Sequence, residues 1–224
     1  MFDRLELMIG KDKLNKIHDT KVLIVGIGGV GGECALSLVR SGIEDIVVID
    51  FDIVDITNIN RQALAYHSTI GKKKVDVFEN LSCDINPKCN VSKYDIYLDS
   101  NNIKDILDKE KPSFVIDCCD SKETKKAIIK EALERKIPFI SSMGTGNKLD
   151  PSLLRIMDIR KTNNDPLARI FRKWVKDEKI KEKIPVLCSL EVPLHVGKTV
   201  SSNSFVPNSA GLLIASYVIR EIIK

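Results

Sequence analysis

Val22-Leu23-Ile24-Val25-Gly26-Ile27-Gly28-Gly29-Val30-Gly31 carries an aliphatic, β-branched run straight into a glycine pattern. A run without polar interruption suits a short strand buried on both faces. Gly26-x-Gly28-x-x-Gly31 then opens a helical pattern, the setting in which these glycines have a role. The turn they form lets the backbone approach a phosphate. The helix N-terminus offers that anion free amides and about half a positive charge. Asp50 lies 19 residues beyond Gly31, ending a second apolar run at 46–49, where its carboxylate suits ribose hydroxyls. These residues specify a nucleotide but not which one. A dinucleotide cofactor stays open at this point, and a tight turn without ligand is the bland alternative.

Further strand-length runs at 114–116 and 139–140 alternate with helical patterns. The expected fold is therefore α/β, a Rossmann-like, doubly wound, mainly parallel sheet with an added C-terminal α/β segment. Ser41-Gly42 closes the first helix, and Pro112 and Pro138 each precede a strand. After Gly144-Thr145-Gly146 come a strand candidate at 153–159, a basic helix opened by Asn164-Asp165-Pro166, a second strand candidate at 186–190, and a last helix with Pro207 near its start. The 224 residues suit one domain over 1–224, with a nucleotide-binding core at 1–150 and a substrate-binding C-terminal segment at 151–224.

The net charge of +4 is mild, but it is unevenly placed: residues 160–183 hold nine Lys or Arg against four Asp or Glu. Six cysteines include no C-x-x-C pair, so neither a disulfide framework nor a structural zinc site is expected. Asp3, Arg4 and Glu6 break up the first apolar residues, unlike a secretory signal, and the apolar stretch at 210–219 is too short for a bilayer. A cytoplasmic protein without membrane contact is expected.

Downstream residues narrow the nucleotide. Asp50-Phe51-Asp52, Asn58-Ile59-Asn60-Arg61-Gln62, Lys74 and Asp117-Cys118-Cys119-Asp120 follow in order. Arg61 and Lys74 are suited to bracket a triphosphate and to neutralise charge that builds during attack on its α-phosphorus. Asp120, just past a strand, suits magnesium. A nicotinamide cofactor would leave these three without a shared role.

At these motifs the chain resembles the ubiquitin-activating-enzyme-like adenylyltransferases. The resemblance implies that Gly26, Gly28, Gly29 and Gly31 cradle ATP and that Asp50, with Asp52 beside it, holds ribose. It also implies that Asn58, Arg61 and Lys74 contact phosphates, that Asp120 binds Mg2+, and that Arg4 reaches the ATP of a partner subunit in a homodimer. Gly144-Thr145-Gly146-Asn147-Lys148-Leu149-Asp150-Pro151, Asp165-Pro166-Leu167-Ala168-Arg169 and Ser204-Phe205-Val206-Pro207 further resemble the tRNA threonylcarbamoyladenosine dehydratases. These adenylate the carboxylate of the modified tRNA nucleoside, whose own carbamoyl group then displaces AMP and closes a ring. The implied tRNA contacts are Lys148, Arg169, Arg172 and Lys173. Lys148 and Asp150 are also candidates for a monovalent cation, K+ or Na+, and a cysteine desulfurase-type sulfur-transfer partner belongs to the same resemblance.

Plainer readings stand beside these. Leu167, Ile170, Phe171 and Trp174 recur at helical spacing as a core stripe, leaving the basic residues on an ordinary solvated face. Cys188 sits roughly where sulfur-carrier activators place a reactive cysteine, yet its neighbours read as a buried strand. Cys118 and Cys119 read as packing residues, and His18, His67 and His195 have no metal spacing. The rival activity is activation of the C-terminus of a ubiquitin-like sulfur carrier.

Overall fold

The computed structural model describes residues 1–194 and 199–224. Two short helices, α1 (Asp3–Ile9) and α2 (Lys11–His18), precede β1 (Lys21–Val25), α3 (Gly29–Arg40), β2 (Asp45–Ile49), α4 (Lys74–Ile85) and β3 (Asn90–Tyr94). Then follow α5 (Ile103–Glu110), β4 (Phe114–Asp117), α6 (Lys122–Glu134) and β5 (Phe139–Ser142). The chain continues through β6 (Leu154–Asp158), α7 (Pro166–Asp177), β7 (Pro185–Ser189) and α8 (Phe205–Ile222). The sheet order is β3-β2-β1-β4-β5-β7-β6, parallel except for the antiparallel pair of β6 with β7. This is the expected α/β architecture with its added C-terminal strands. Among the described residues no helix is long and apolar enough to cross a membrane.

Successive residues of β1 explain why its sequence is continuously apolar. Val22 and Ile24 join a core with α3, α4 and α8, whereas Leu23 and Val25 join a second core with α5, α6 and α7. Burying each such side chain contributes about 1.5–3 kcal/mol relative to exposure. β3 escaped the sequence reading because it is an edge strand: Asn90-Val91-Ser92-Lys93-Tyr94 is only partly buried and lacks that signature. Strand order reverses between β2-β1 and β4, which opens a crevice at their carboxyl ends. α8 lies close on α3, because a Cβ at Gly211 would stand 2.4 Å from the carbonyl oxygen of Val30.

Candidate active site

The crevice is a cleft of about 770 Å³, lined by the glycine loop, the ends of β2 and β4, and the 142–146 segment. Gly26 has φ +80, and a Cβ at Gly31 would stand 1.8 Å from the Gly26 carbonyl oxygen. No other residue type permits that closure. A Cβ at Gly28 would meet nothing closer than Gln62 Nε2 at 3.7 Å, so the loop crest stays open to a ligand. Asp50 is buried and already engaged: Oδ2 accepts the Ile27 amide at 2.8 Å and Oδ1 the Asp52 amide at 2.9 Å. Burial pushes its carboxyl pKa up, against the pull of Lys74 and those two amides. Each oxygen retains a second lone pair for a ribose hydroxyl.

Lys74 begins α4, and its ammonium lies 2.7 Å from Asp52 Oδ2, with the lysine side chain 4% exposed and the aspartate 50%. Asn58 closes a single turn after β2 by accepting the Asp55 amide at 3.2 Å, and Arg61 Nη1 donates to the Thr57 carbonyl at 2.8 Å. Both line the cleft, as does exposed Asp120. Among the described residues no group of three His, Cys, Asp or Glu is placed to hold a metal. One carboxylate, waters and phosphate oxygens nevertheless form an ordinary magnesium shell, so Asp120 fits the ion together with a triphosphate.

A model of the ThiF family matches residues 2–189. The chain belongs to the ThiF family. Within it the chain is 38% identical over its whole length to the tRNA threonylcarbamoyladenosine dehydratase of Bacillus subtilis, covering 94% of that protein. It is 34% identical to the Escherichia coli enzyme of the same name, over 96% of this chain and 78% of that one. The solved structure of E. coli tRNA N6-threonylcarbamoyladenosine dehydratase in complex with ATP superposes with a TM-score of 0.93 at 30% identity, over 99% of this chain and 93% of that one.

In this ThiF-family chain Gly26, Gly28, Gly29, Asp50, Asp52, Asn58, Arg61, Lys74 and Asp120 converge on one cleft, while buried Gly31 lies behind the loop and does not line it. Arg4 does not join them; it is exposed on α1, a helix with no buried residue. Arg169 and Lys173 are exposed on α7, whereas half-buried Arg172 donates to Thr162 Oγ1 at 2.7 Å. The expected tRNA contact at Lys148 needs correction. Its side chain is buried, with Nζ 2.8 Å from Asp165 Oδ2 and 2.6 Å from the Gly144 carbonyl oxygen, so it has no face toward an RNA phosphate. The core stripe on α7 is also rotated from expectation: Ala168, Phe171, Trp174 and Val175 are buried, Ile170 is 38% exposed, and Leu167 lines the cleft.

Cys188 lies inside β7, 1% exposed, and burial pushes its thiol up to about 11. Cys118 and Cys119 pack on opposite cores while also lining the cleft, a role their strand position alone did not reveal. His18 Nδ1 is 2.8 Å from the Gly42 carbonyl oxygen, a satisfied structural histidine; His195 lies outside the described residues. Beneath the cleft floor, Lys125 Nζ lies 3.0 Å from Asp117 Oδ2, which also accepts from Ser141 Oγ at 2.6 Å. Asp117 Oδ1 accepts the Cys119 amide at 3.2 Å, fixing the turn that carries Asp120. A signal for Lys125 existed: Lys125, Ile128, Ile129 and Ala132 recur on one face of α6. A lysine on an apolar stripe calls for a buried partner.

Proposed function

We propose that the chain catalyses ATP-dependent dehydration of threonylcarbamoyladenosine in tRNA to its cyclic form. The observation that carries this reading is one cleft joining a phosphate loop, Arg61, Lys74 and Asp120 to a wall made by the 144–146 loop and Leu167 of the basic helix. The full-length likeness to dehydratases supports it.

In the first step a carboxylate oxygen of the modification attacks the α-phosphorus of ATP; the bond from that phosphorus to the bridging oxygen breaks, and pyrophosphate leaves. Arg61 and Lys74 neutralise charge on the transferring and departing phosphates. Asp50 and Asp52 orient the ribose, and Asn58 lies beside the phosphates. Asp120 would hold Mg2+, which would supply further charge neutralisation at the phosphates. In the second step the carbamoyl group, tethered beside the activated carbonyl, displaces AMP and closes the ring. Intramolecular attack reaches effective molarities of about 10⁵ M or more, so ring closure asks mainly for positioning. No protein nucleophile enters, which accords with a Cys188 thiol that is buried and hard to ionise. That burial also disfavours a sulfur-carrier activator that works through this cysteine, and the proposed cycle moves no sulfur and gives a cysteine desulfurase-type partner no step to supply.

Residues 1–150 serve ATP and residues 151–224 the tRNA, which Arg169 and Lys173 meet at its phosphates. Arg4 acts across a homodimer on the partner's ATP, which accords with its place outside its own cleft. With Lys148 committed to Asp165, exposed Asp150 is the residue left in that loop for a monovalent cation, K+ or Na+. The setting is cytoplasmic. Incubation with ATP and tRNA bearing the linear nucleoside tests the reading by the mass of the product.

A further inference from the structure

Two of the dehydratase-like motifs meet in the interior, and the reaction above uses neither of the residues that join them. Lys148, from the loop after β5, and Asp165, the residue before α7, form an ion pair whose side chains are each 1% exposed. Asp165 divides its carboxylate between two partners. Oδ1 accepts the Ala168 amide at 2.7 Å and caps α7, while Oδ2 accepts Lys148 Nζ at 2.8 Å. The same ammonium donates to the Gly144 carbonyl oxygen at 2.6 Å, in the wall of the cleft. Gly144 permits the approach, because a Cβ there would stand 2.8 Å from Asp165 Oδ2. A second tie holds the start of α7: Asn164 Nδ2 donates to the Leu190 carbonyl at 2.8 Å.

We propose that Lys148 and Asp165 are positioning residues that lock the basic helix α7 onto the wall of the nucleotide cleft, so that a carboxylate carried by RNA bound on α7 meets the α-phosphate. This rests on the dehydratase reading and adds to it how the two halves of the chain are held in register. Thermodynamic stability alone explains the pair poorly. A buried ion pair gains little over well-packed apolar side chains of the same volume, whereas it fixes position through directional bonds. The connection is short, since one carboxylate touches both the helix cap and, through a single ammonium, the cleft wall.

The test is single-turnover AMP formation from ATP and tRNA bearing the linear nucleoside, with separate measurement of ATP and tRNA binding. Lys148→Met leaves a buried aspartate unpaired, so Lys148→Met/Asp165→Asn is measured beside it; the introduced amide retains an oxygen for the cap and no bare charge remains. In the double variant, ATP and tRNA are expected to bind with wild-type stoichiometry and within about threefold of wild-type affinity. The rate is expected to fall about 100-fold, the loss that a misplacement of about 1 Å produces. A merely structural pair would lower binding capacity and rate together, and that result, like an unchanged rate, would overturn the proposal. Absence of tRNA-dependent AMP formation in the wild type would instead overturn the dehydratase reading beneath it.

Discussion

Asp50 Oδ2 accepts the amide of Ile27 across 2.8 Å, tying the end of β2 to the crest of the glycine loop that follows β1. The carboxylate proposed for ribose is thus also part of the phosphate loop's scaffold, while its other oxygen accepts the Asp52 amide within its own turn. Asp50→Ala leaves the buried Ile27 amide unpaired, at about 1–3 kcal/mol, and the part-buried Asp52 amide at less, while removing a charge that burial disfavours. The donors win, and a net loss of about 2 kcal/mol is expected together with weaker ATP binding. Thermal unfolding with and without ATP reads both; an unchanged Tm in the absence of nucleotide would show that the bonds do not hold the loop.

Lys74 is buried against half-exposed Asp52, and the buried Asp50 carboxylate that it also helps to offset keeps its two amide donors when the lysine is removed. Lys74→Met is therefore expected to fold normally and to slow AMP formation by about 10²–10³-fold, the scale of one lost transition-state charge contact. Pyrophosphate release with saturating tRNA measures it. A loss below about threefold would remove Lys74 from the chemistry.

On α7, exposure separates the basic residues into two kinds. Arg169 and Lys173 face solvent, whereas Arg172 is spent on Thr162. Arg169→Glu/Lys173→Glu is expected to weaken tRNA binding, to flatten its salt dependence by about one unit of log–log slope per lost phosphate contact, and to spare ATP. Filter binding across a salt series reads the slope, and an unaltered slope would return this helix to an ordinary solvated face.

Burial pushes the Cys118 thiol up to about 12 and that of Cys188 to about 11. The folded protein therefore keeps these protons above the ordinary thiol value of 9.0, where the unfolded chain releases them. Proton binding is tighter in the folded state, so stability is expected to fall as pH rises above about 9. Cys118→Ala/Cys188→Ala should shallow that decline in Tm. At pH 8, alkylation is expected at exposed Cys83 well before Cys188; early labelling of Cys188 would reopen a thiol-based route.

The parts legible in the sequence share a physical basis. β1, β2 and β4 are covered on both faces and therefore read as unbroken apolar runs. The residues around the cleft were legible because the glycines, Asp50 and Asp120 follow strand ends, and Arg61 and Lys74 stand at motif spacing beyond Asp50. β3 was not legible, since an edge strand needs no continuous apolar run. The buried pairs were also hidden. Lys148 finds Asp165 17 residues away, and in sequence a buried ammonium is spelled like a solvated one. Ile170 misled for a related reason: its spacing fits the core stripe, but the stripe turns toward Ala168 and Val175.

This cleft is expected to activate a carboxylate on tRNA and to let the modification close on itself. Purified protein, ATP, Mg2+ and tRNA carrying linear threonylcarbamoyladenosine, followed by digestion and mass measurement of the nucleosides, tests it most directly. A modified adenosine lighter by one water, with AMP formed in equal amount, is the predicted result. An unchanged nucleoside mass, with AMP formed only when a ubiquitin-like carrier is supplied, would contradict it.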